Sequence, residues 1–193
     1  EQIRQALETL EQALAAYPEG FFDQFRDGAN GGGISFCLTG EMEGNLQPTG
    51  FATKRRSWYL VGLDITADGF ASTIHHELWH TIEMKISEDA FQTKTWTAAN
   101  PDGFAYYGVY DEGYLDLTRY TYADGSGANS YFVDAYSRIN GREDRARIWE
   151  EAMAVQSLAL SESKALQNKL EIMWNALQGA FDVDDWKTLP WES

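Results

Sequence analysis

Apolar residues recur at three- and four-residue intervals in several stretches of the chain, and this period is typical of amphipathic helices. Near the middle, Ile74, Leu78 and Ile82 share one face of such a stretch. An earlier stretch with the same period consists of Ile3, Leu7, Leu10, Leu14 and Tyr17. We therefore predict a helix at the start of the chain and a second, which we call the central helix, with Asp68 and Gly69 as its cap and turn.

The last third of the chain predicts further helices. Asn140-Gly141 interrupts the chain before a long helical pattern, whose shared face carries Ile148, Ala152, Val155 and Ala159. Ser161 or Ser163 is suited to cap a final helix. The apolar face of that helix consists of Leu166, Leu170, Met173 and Leu177.

Two segments, 34–39 and 58–65, are rich in β-branched and aromatic residues and are bounded by glycines and polar turns, so both are predicted strands. The basic residues between them, Lys54, Arg55 and Arg56, are interpreted as a solvated surface. The second strand leads almost directly into the central helix. An edge strand at that place would be able to pair with an extended peptide through backbone hydrogen bonds.

Regular periodicity fades over residues 88–130, where tyrosines lie among glycines and turn pairs. These tyrosines are Tyr106, Tyr107, Tyr110, Tyr114, Tyr120 and Tyr122. Connections of this length are usually functional or mobile. We expect the segment to form a wall of a cleft.

Together these patterns predict one α+β domain over residues 1–193, in which a small sheet covers the central helix. The N-terminal helix and the sheet occupy residues 1–67, and the central helix occupies 68–87. Cleft loops follow at 88–133, and a helical C-terminal half occupies 134–193. No internal repeat or interdomain linker is visible.

The charge of the chain excludes some partners. Lys and Arg number 15 against 30 Asp and Glu, a formal net charge of -15, which argues against binding to nucleic acid or an anionic membrane. No run of 18 apolar residues is present, so no membrane-spanning segment is predicted. The one cysteine, Cys37, excludes an intrachain disulfide, and its apolar neighbours predict a buried, inert thiol.

The central helix contains all three histidines of the chain, in the sequence His75-His76-Glu77-Leu78-Trp79-His80. On a helix, His76 and His80 stand one turn apart on the same face, so both imidazoles can reach one cation. His75 points away from the other two and is predicted to pack or to support them. Zinc suits the pair, because it takes neutral imidazole at roughly 2.0–2.1 Å and is bound by three protein ligands in catalytic sites.

Glu77 lies beside the position that such a site leaves open to water. A carboxylate there can take a proton from a water molecule whose pKa the metal has lowered to about 7, and can later pass it to a leaving amine. The motif therefore predicts metal-dependent peptide hydrolysis with Glu77 as the general base.

A third ligand must come from further along the chain. No histidine follows His80, and Glu83 stands where the longer histidine motif of metzincins has glycine, so the donor is predicted to be a carboxylate. The downstream candidates are Asp111, Glu112, Asp116, Asp134, Glu143, Asp144, Glu150 and Glu151.

Glu143 is our preferred candidate, because it opens the long helix, and such a helix packed across the central helix would direct its carboxylate into the cleft. Glu150 shares its face. Asn140-x-x-Glu143 fits a helix cap equally well, since acidic residues in a first turn favour the helix dipole. From the residues alone, Glu143 is equally suited to be a metal ligand or a helix cap. Glu150 and Asp134 are the other candidates for the third ligand.

Residues 131–137 (YFVDAYS), followed by 143–146 (EDRA), resemble the second motif of gluzincin-type metallopeptidases, as found in the lethal-factor catalytic domain and in zinc-binding metallopeptidases of bacteria. In those proteins a Glu-Asp-x-Ala or Glu-x-x-Ala-Glu segment follows an exposed Tyr-Ser or Tyr-Ala pair. The resemblance spans roughly residues 58–153. It implies a zincin-like fold, a zinc ligand at Glu143 and a transition-state-stabilising tyrosine at Tyr136. Arg147 departs from the pattern, because many relatives carry a second glutamate there, and it is placed to pair with Glu143 or Glu150.

The expected function is hydrolysis of a peptide or protein substrate with one zinc ion per chain, held by His76, His80 and Glu143. The zinc ion would polarise the scissile carbonyl, Glu77 would activate water, and Tyr136 would stabilise the oxyanion. The alternatives are a catalytically inactive metal-binding scaffold or adhesion module, and a metal-dependent hydrolase of a non-peptide amide. The resemblance implies a secreted or surface-attached bacterial protein, and a first residue other than methionine agrees with a removed leader.

Overall fold

A small sheet and a set of helices enclose the central helix. The computed structural model describes residues 1–26, 31–44, 47–91, 94–154 and 157–192. Within these ranges it contains six α-helices and three strands. The helices are α1 (Gln2–Leu14), α2 (Phe70–Glu83), α3 (Lys94–Ala98), α4 (Gly141–Met153), α5 (Leu158–Glu162) and α6 (Lys164–Gln178), and the strands are β1 (Gly33–Thr39), β2 (Gly50–Arg55) and β3 (Trp58–Asp64). The predicted α+β class is confirmed.

The three strands form one sheet in the order β1-β3-β2. β3 pairs in parallel with β1 and antiparallel with β2. The predicted segments 34–39 and 58–65 correspond to β1 and β3, but the suggestion that the second of them lies at an edge is wrong. The edge next to α2 is β2, which the sequence analysis missed, because this strand is only partly buried and therefore shows no alternation of apolar and polar residues.

α2 is the predicted central helix, and it begins at Phe70. Gly69 is the capping residue in place of Asp68, and its φ of +76° lies in the left-handed region that glycine adopts without strain. The predicted apolar face is confirmed, because Ile74, Leu78 and Ile82 are all fully buried in the core. Each such side chain contributes about 1.5–3 kcal/mol of transfer free energy, so this face fixes the helix against the sheet and the other helices.

α4 packs across α2 and is held there by aromatic and charged contacts. The rings of Trp79 and Trp149 lie 4.9 Å apart between the two helices. Arg145 donates hydrogen bonds to both carboxylate oxygens of Glu83, at 3.0 and 2.5 Å, and the indole of Trp79 donates to the same carboxylate at 2.9 Å. These buried contacts fix the first two turns of α4 over the C-terminal half of α2.

The predicted long helix after Gly141 is two helices. α4 ends at Met153, where the following Ala154 is extended, and α5 begins at Leu158. Val155, which the sequence analysis placed on the shared face, lies outside the described residues. Ser163 caps α6, because its Oγ accepts a hydrogen bond from the backbone N–H of Leu166 at 3.2 Å.

The expectation that Cys37 is buried is wrong. Cys37 is exposed, because it lies in the same row of the sheet as Phe51, which is itself 43% exposed, on a face that is incompletely covered. In α1, Ile3 and Leu7 are also exposed, whereas Ala6 turns toward the core together with Leu10 and Ala13. Among the described helices, none is both long enough and apolar enough to cross a bilayer.

Candidate metal centre

Three ligand atoms converge where α2 and α4 cross. His76 Nε2 lies 3.2 Å from His80 Nε2 and 3.1 Å from Glu143 Oε2, and His80 Nε2 lies 3.3 Å from the same oxygen. His76 and Glu143 are buried, and His80 is half-buried. Among the residues that the structure describes, Glu143 is the one candidate carboxylate that forms such a group with the two histidines.

The triangle of ligand atoms has the size that a metal ion requires. Donors that surround a zinc ion tetrahedrally at roughly 2.0–2.1 Å are about 3.3 Å apart, which is close to the three observed separations. Two imidazole nitrogens and one carboxylate oxygen are donors that zinc accepts. The group of His76, His80 and Glu143 could therefore hold a metal ion.

The direction of the Glu143 side chain distinguishes between the two roles predicted for this residue, a metal ligand and a helix cap. Asn140 caps α4, because its Oδ1 accepts hydrogen bonds from the backbone N–H groups of Arg142 at 2.9 Å and Glu143 at 3.0 Å. The side chain of Glu143 points toward His76 and His80. The carboxylate is thus directed toward the histidines while a different residue satisfies the start of the helix.

A buried ion pair anchors the same turn of α4 from behind. Lys169 of α6 and Asp144 are both fully buried, and Lys169 Nζ lies 2.7 Å from Asp144 Oδ2. Tyr106 donates a second hydrogen bond to that oxygen, at 2.7 Å. Because a broken buried pair leaves an uncompensated charge, these contacts hold the residue next to Glu143 in one position.

Glu150 and Asp134, the other candidate ligands, form a chain of charges behind His76. Glu150 Oε2 lies 3.4 Å from His76 Nδ1 and also accepts a hydrogen bond from Arg147. Arg147 Nε donates to Asp134 at 2.9 Å. Arg147 therefore does not compete for Glu143, and Glu150 contacts the histidine nitrogen opposite the converging atoms. A carboxylate in that position orients the ring and makes it a stronger ligand.

The pKa values follow from these contacts. Burial lowers the pKa of His76, but hydrogen bonds with Glu143 and Glu150 outweigh it and raise the pKa to about 9. Burial raises the pKa of Glu150, but the hydrogen bond with His76 and the charge of Arg147 lower it to about 2. For Glu143, the hydrogen bonds with His76 and His80 overcome burial and hold the pKa well below its usual value. Both carboxylates are ionised at neutral pH, and a metal that binds His76 must displace a proton from it.

We expect Glu150→Gln to weaken zinc binding by about 10- to 100-fold, because the substitution removes the charge that orients His76. Competitive titration against a zinc-binding dye measures the change. Glu151→Gln is the matched control on the same helix, since Glu151 accepts a hydrogen bond from Ser157 and not from a histidine. Equal zinc affinity of the Glu150 and Glu151 variants would show that Glu150 does not support the site.

Glu77 lines the same cavity as the three ligand residues, and one of its carboxylate oxygens has no partner among the described groups. The side chain is buried, and no described group hydrogen-bonds to its Oε2. The backbone of β2 lies directly against it, because a Cβ at Gly50 would come within 2.8 Å of Glu77 Cγ. Burial raises the pKa of this carboxyl above its usual value, and the charges of His80 and His76 oppose the shift. A carboxylate with a raised pKa and a free oxygen is suited to accept a proton.

Tyr136 and Tyr110 line the cleft together with Glu77 and the ligand residues. The rings of Tyr136 and His76 are 6.1 Å apart, and burial together with the charge of Glu143 raises the pKa of Tyr136, so the phenol remains a donor at neutral pH. Tyr110 donates a hydrogen bond to Glu143 Oε1 at 2.7 Å and accepts one from Asn140 at 2.6 Å. Tyr110 is not one of the predicted site residues, and nothing in its irregular segment distinguishes it from the neighbouring tyrosines.

His75 has a separate environment, as predicted. Its Nδ1 lies 3.2 Å from the phenol oxygen of Tyr17, which in turn accepts a hydrogen bond from the indole of Trp149 at 3.0 Å. Burial lowers the pKa of His75 to about 4, against the charge of Glu150. His75 is therefore neutral and forms part of the core on the side of α2 away from the ligand atoms.

The structure thus brings together His76, Glu77, His80, Tyr136 and Glu143, which are the predicted site residues, and adds Tyr110, Glu150 and Gly50 around them. A signal for Glu150 existed in the sequence, since it shares a face of α4 with Glu143. No family model matches the chain, and neither does any curated protein or solved structure. The assignment of this site as a candidate metal centre therefore depends on its geometry.

Proposed function

We propose that the protein is a zinc-dependent peptidase with a zincin-like fold, in which His76, His80 and Glu143 bind one zinc ion per chain. The observation that carries this proposal is the convergence of the three ligand atoms, 3.1–3.3 Å apart, beside the unpaired carboxylate oxygen of Glu77. The ligand set matches the two-histidine, one-glutamate sites of zinc hydrolases. The resemblance of residues 131–146 to gluzincins supports the same assignment.

The residues around the ligands have distinct roles in this proposal. When bound, zinc supplies Lewis acidity, which polarises a carbonyl group and makes water a stronger acid. Glu77 accepts the proton of the attacking water on its carboxylate and passes it to the leaving amine. Tyr136 donates a hydrogen bond to the oxyanion that develops on the scissile carbonyl. Tyr110 holds the second oxygen of Glu143, so that the carboxylate presents one oxygen to the metal.

β2 supports a peptide as the substrate. Within the described part of the chain this strand pairs with β3 along one side, and the other side is the edge of the sheet. Backbone groups of an edge strand can form hydrogen bonds with an extended peptide. Because Gly50 lies against Glu77, a peptide along this edge would pass directly over the general base.

A metal-binding scaffold without catalysis and a hydrolase of a non-peptide amide are the alternatives. A buried carboxylate oxygen without a partner costs stability, and a purely structural metal site has no need for it. This favours an enzyme over a scaffold, and the edge strand favours a peptide over a small amide. The resemblance to bacterial metallopeptidases supports action outside the cell or at its surface, which fractionation of the producing cell would test.

Digestion of a broad peptide library tests the proposal. We expect the zinc-loaded protein to cleave a subset of peptides, a chelator to stop cleavage, and added zinc to restore it. Mass spectrometry of the products identifies the bonds that are cut. A library left intact by protein that holds one zinc ion per chain would contradict peptide hydrolysis and favour the scaffold.

A further inference from the structure

The cleft extends on both sides of the candidate metal centre, and β2 runs along it. One compartment, of about 530 Å³, adjoins Gly50 and the three residues before it. A middle compartment of about 240 Å³ contains the ligand atoms and adjoins Gly50, Phe51 and Ala52. A third, of about 630 Å³, adjoins Lys54. The chain direction of β2 therefore gives the direction of the cleft, from the first compartment to the third.

The first compartment carries an excess of negative charge. Its lining includes three carboxylates, those of Glu77, Asp134 and Glu150, against the guanidinium of Arg147 and the imidazole of His76. The side chain of Asp134 is 25% exposed, which leaves it accessible from the cleft. The rings of Tyr114 and Tyr136 lie 5.6 Å apart in the same compartment, and aromatic faces attract cations. This end is suited to a positively charged group.

The third compartment carries an excess of positive charge. Glu83 is the carboxylate in its lining, and Arg145 already neutralises it through two hydrogen bonds. Arg142, whose side chain is 58% exposed, lies 3.8 Å from that shared carboxylate. Lys54 projects from β2 over the ring of Tyr59, 5.0 Å from its centroid. Two cations therefore remain for a ligand at this end.

The middle compartment connects the two charged ends. It shares Gly50, Glu77 and Tyr136 with the first compartment and Arg142 with the third. Glu77, whose buried Oε2 has no hydrogen-bond partner among the described groups, lines this compartment together with the ligand atoms. A single extended chain is able to contact all three compartments, since the four steps along the strand from Gly50 to Lys54 span about 13 Å.

We infer that the cleft selects peptides of opposite charge at their two ends, with acidic residues toward Lys54 and Arg142 and basic residues toward Asp134 and Glu150. This inference rests on the proposed function, because it assigns the substrate class of the same cleft. Antiparallel pairing is the more stable arrangement for a strand added to β2. An antiparallel peptide has its N-terminal part at the Lys54 end. The acidic residues therefore precede the cleavage site and the basic residues follow it.

Three labelled octapeptides with the same central residues test the polarity. The first has two acidic residues at its N-terminal end and two basic residues at its C-terminal end, the second has these charges exchanged, and the third has glutamine at all four positions. The first two have equal net charge, so the overall charge of the protein affects them alike. Binding is measured by fluorescence anisotropy with zinc-loaded Glu77→Gln protein, which allows affinity to be measured without cleavage.

We expect the first peptide to bind about tenfold more tightly than the second, with the glutamine peptide between them, and the difference to shrink in high salt. Lys54→Gln and Asp134→Asn should each reduce the ratio about threefold. Arg55→Gln is the matched control, because the side chain of this neighbour points to the other face of β2 and lies outside the three compartments.

Equal binding of the two charged peptides, or tighter binding of the second, would overturn the inference. An equal loss of the ratio in the Lys54 and Arg55 variants would do the same, because it would reflect the charge of the whole surface. The outcomes also separate the two proposals. If the protein prefers the first peptide but cleaves no peptide, the proposed peptidase activity is wrong and the charge preference stands. If it cleaves library peptides without regard to their charge, the peptidase activity stands and the charge preference is wrong.

Discussion

Replacement of Glu77 by glutamine is expected to reduce peptide hydrolysis by about 10³-fold and to leave zinc binding nearly unchanged. Glutamine has almost the shape of glutamate, so it fits between α2 and the backbone of Gly50, but its amide cannot accept the proton of the attacking water. Glu77 contributes none of the three converging ligand atoms, so the metal would retain all its protein ligands.

Initial rates on a peptide cleaved by the parent protein, together with zinc content by elemental analysis, measure the two effects separately. Chelator-treated parent protein gives the background rate. A variant that cleaves as fast as the parent would show that Glu77 is not the base. A variant that also loses its zinc would indicate that the Glu77 carboxylate helps to bind the metal and does not act as the base.

Glu143→Ala is expected to lower zinc affinity by more than about 100-fold, because a ligand contributes more than the surrounding carboxylates, whose loss typically costs 10- to 100-fold. The metal-free protein should lose the stability that Glu143 gains by pairing with His76 and His80, but it should keep the cap of α4, which Asn140 provides. Zinc titration and melting of the metal-free variant measure these two quantities.

Asn140→Ala is the complementary control. It should cost about 1 kcal/mol of stability while the three ligand atoms remain in place. His80→Ala should resemble Glu143→Ala in its loss of zinc. Unchanged zinc affinity in Glu143→Ala would move the third ligand to Glu150 or Asp134, and it would also remove the role proposed for Tyr136, which depends on Glu143 as the ligand.

The parts of the site that the sequence predicted are those set by local geometry. His76 and His80 are one helical turn apart, and the apolar period of α2 fixes which face they occupy, so short-range pattern is sufficient for both. Glu143 comes from 67 residues further along the chain. It was preferred over seven other acids because it opens the long helix, and the resemblance then implied a ligand in place of a cap. Its contact with the histidines became visible only from the packing of α4 across α2.

The parts that the sequence did not predict depend on tertiary contacts. β2 has no clear alternation of apolar residues, because its register comes from pairing with β3 and from the close approach of Gly50 to Glu77. Tyr110 reaches Glu143 from an irregular segment 33 residues earlier. Such contacts leave no periodic pattern in the sequence. β2 and Tyr110 could therefore be identified as parts of the cleft only from the structure.

The buried pair of Lys169 and Asp144 ties the metal centre to the order in which the chain is synthesised. Asp144 adjoins Glu143, but its cation lies 25 residues later, in α6. Before that lysine is synthesised and α6 packs, the turn of α4 that carries Glu143 cannot bury the carboxylate of Asp144 without leaving its charge uncompensated. If the centre binds zinc as proposed, we expect capture to be late in synthesis, and nascent chains stalled before residue 169 should fail to retain the metal.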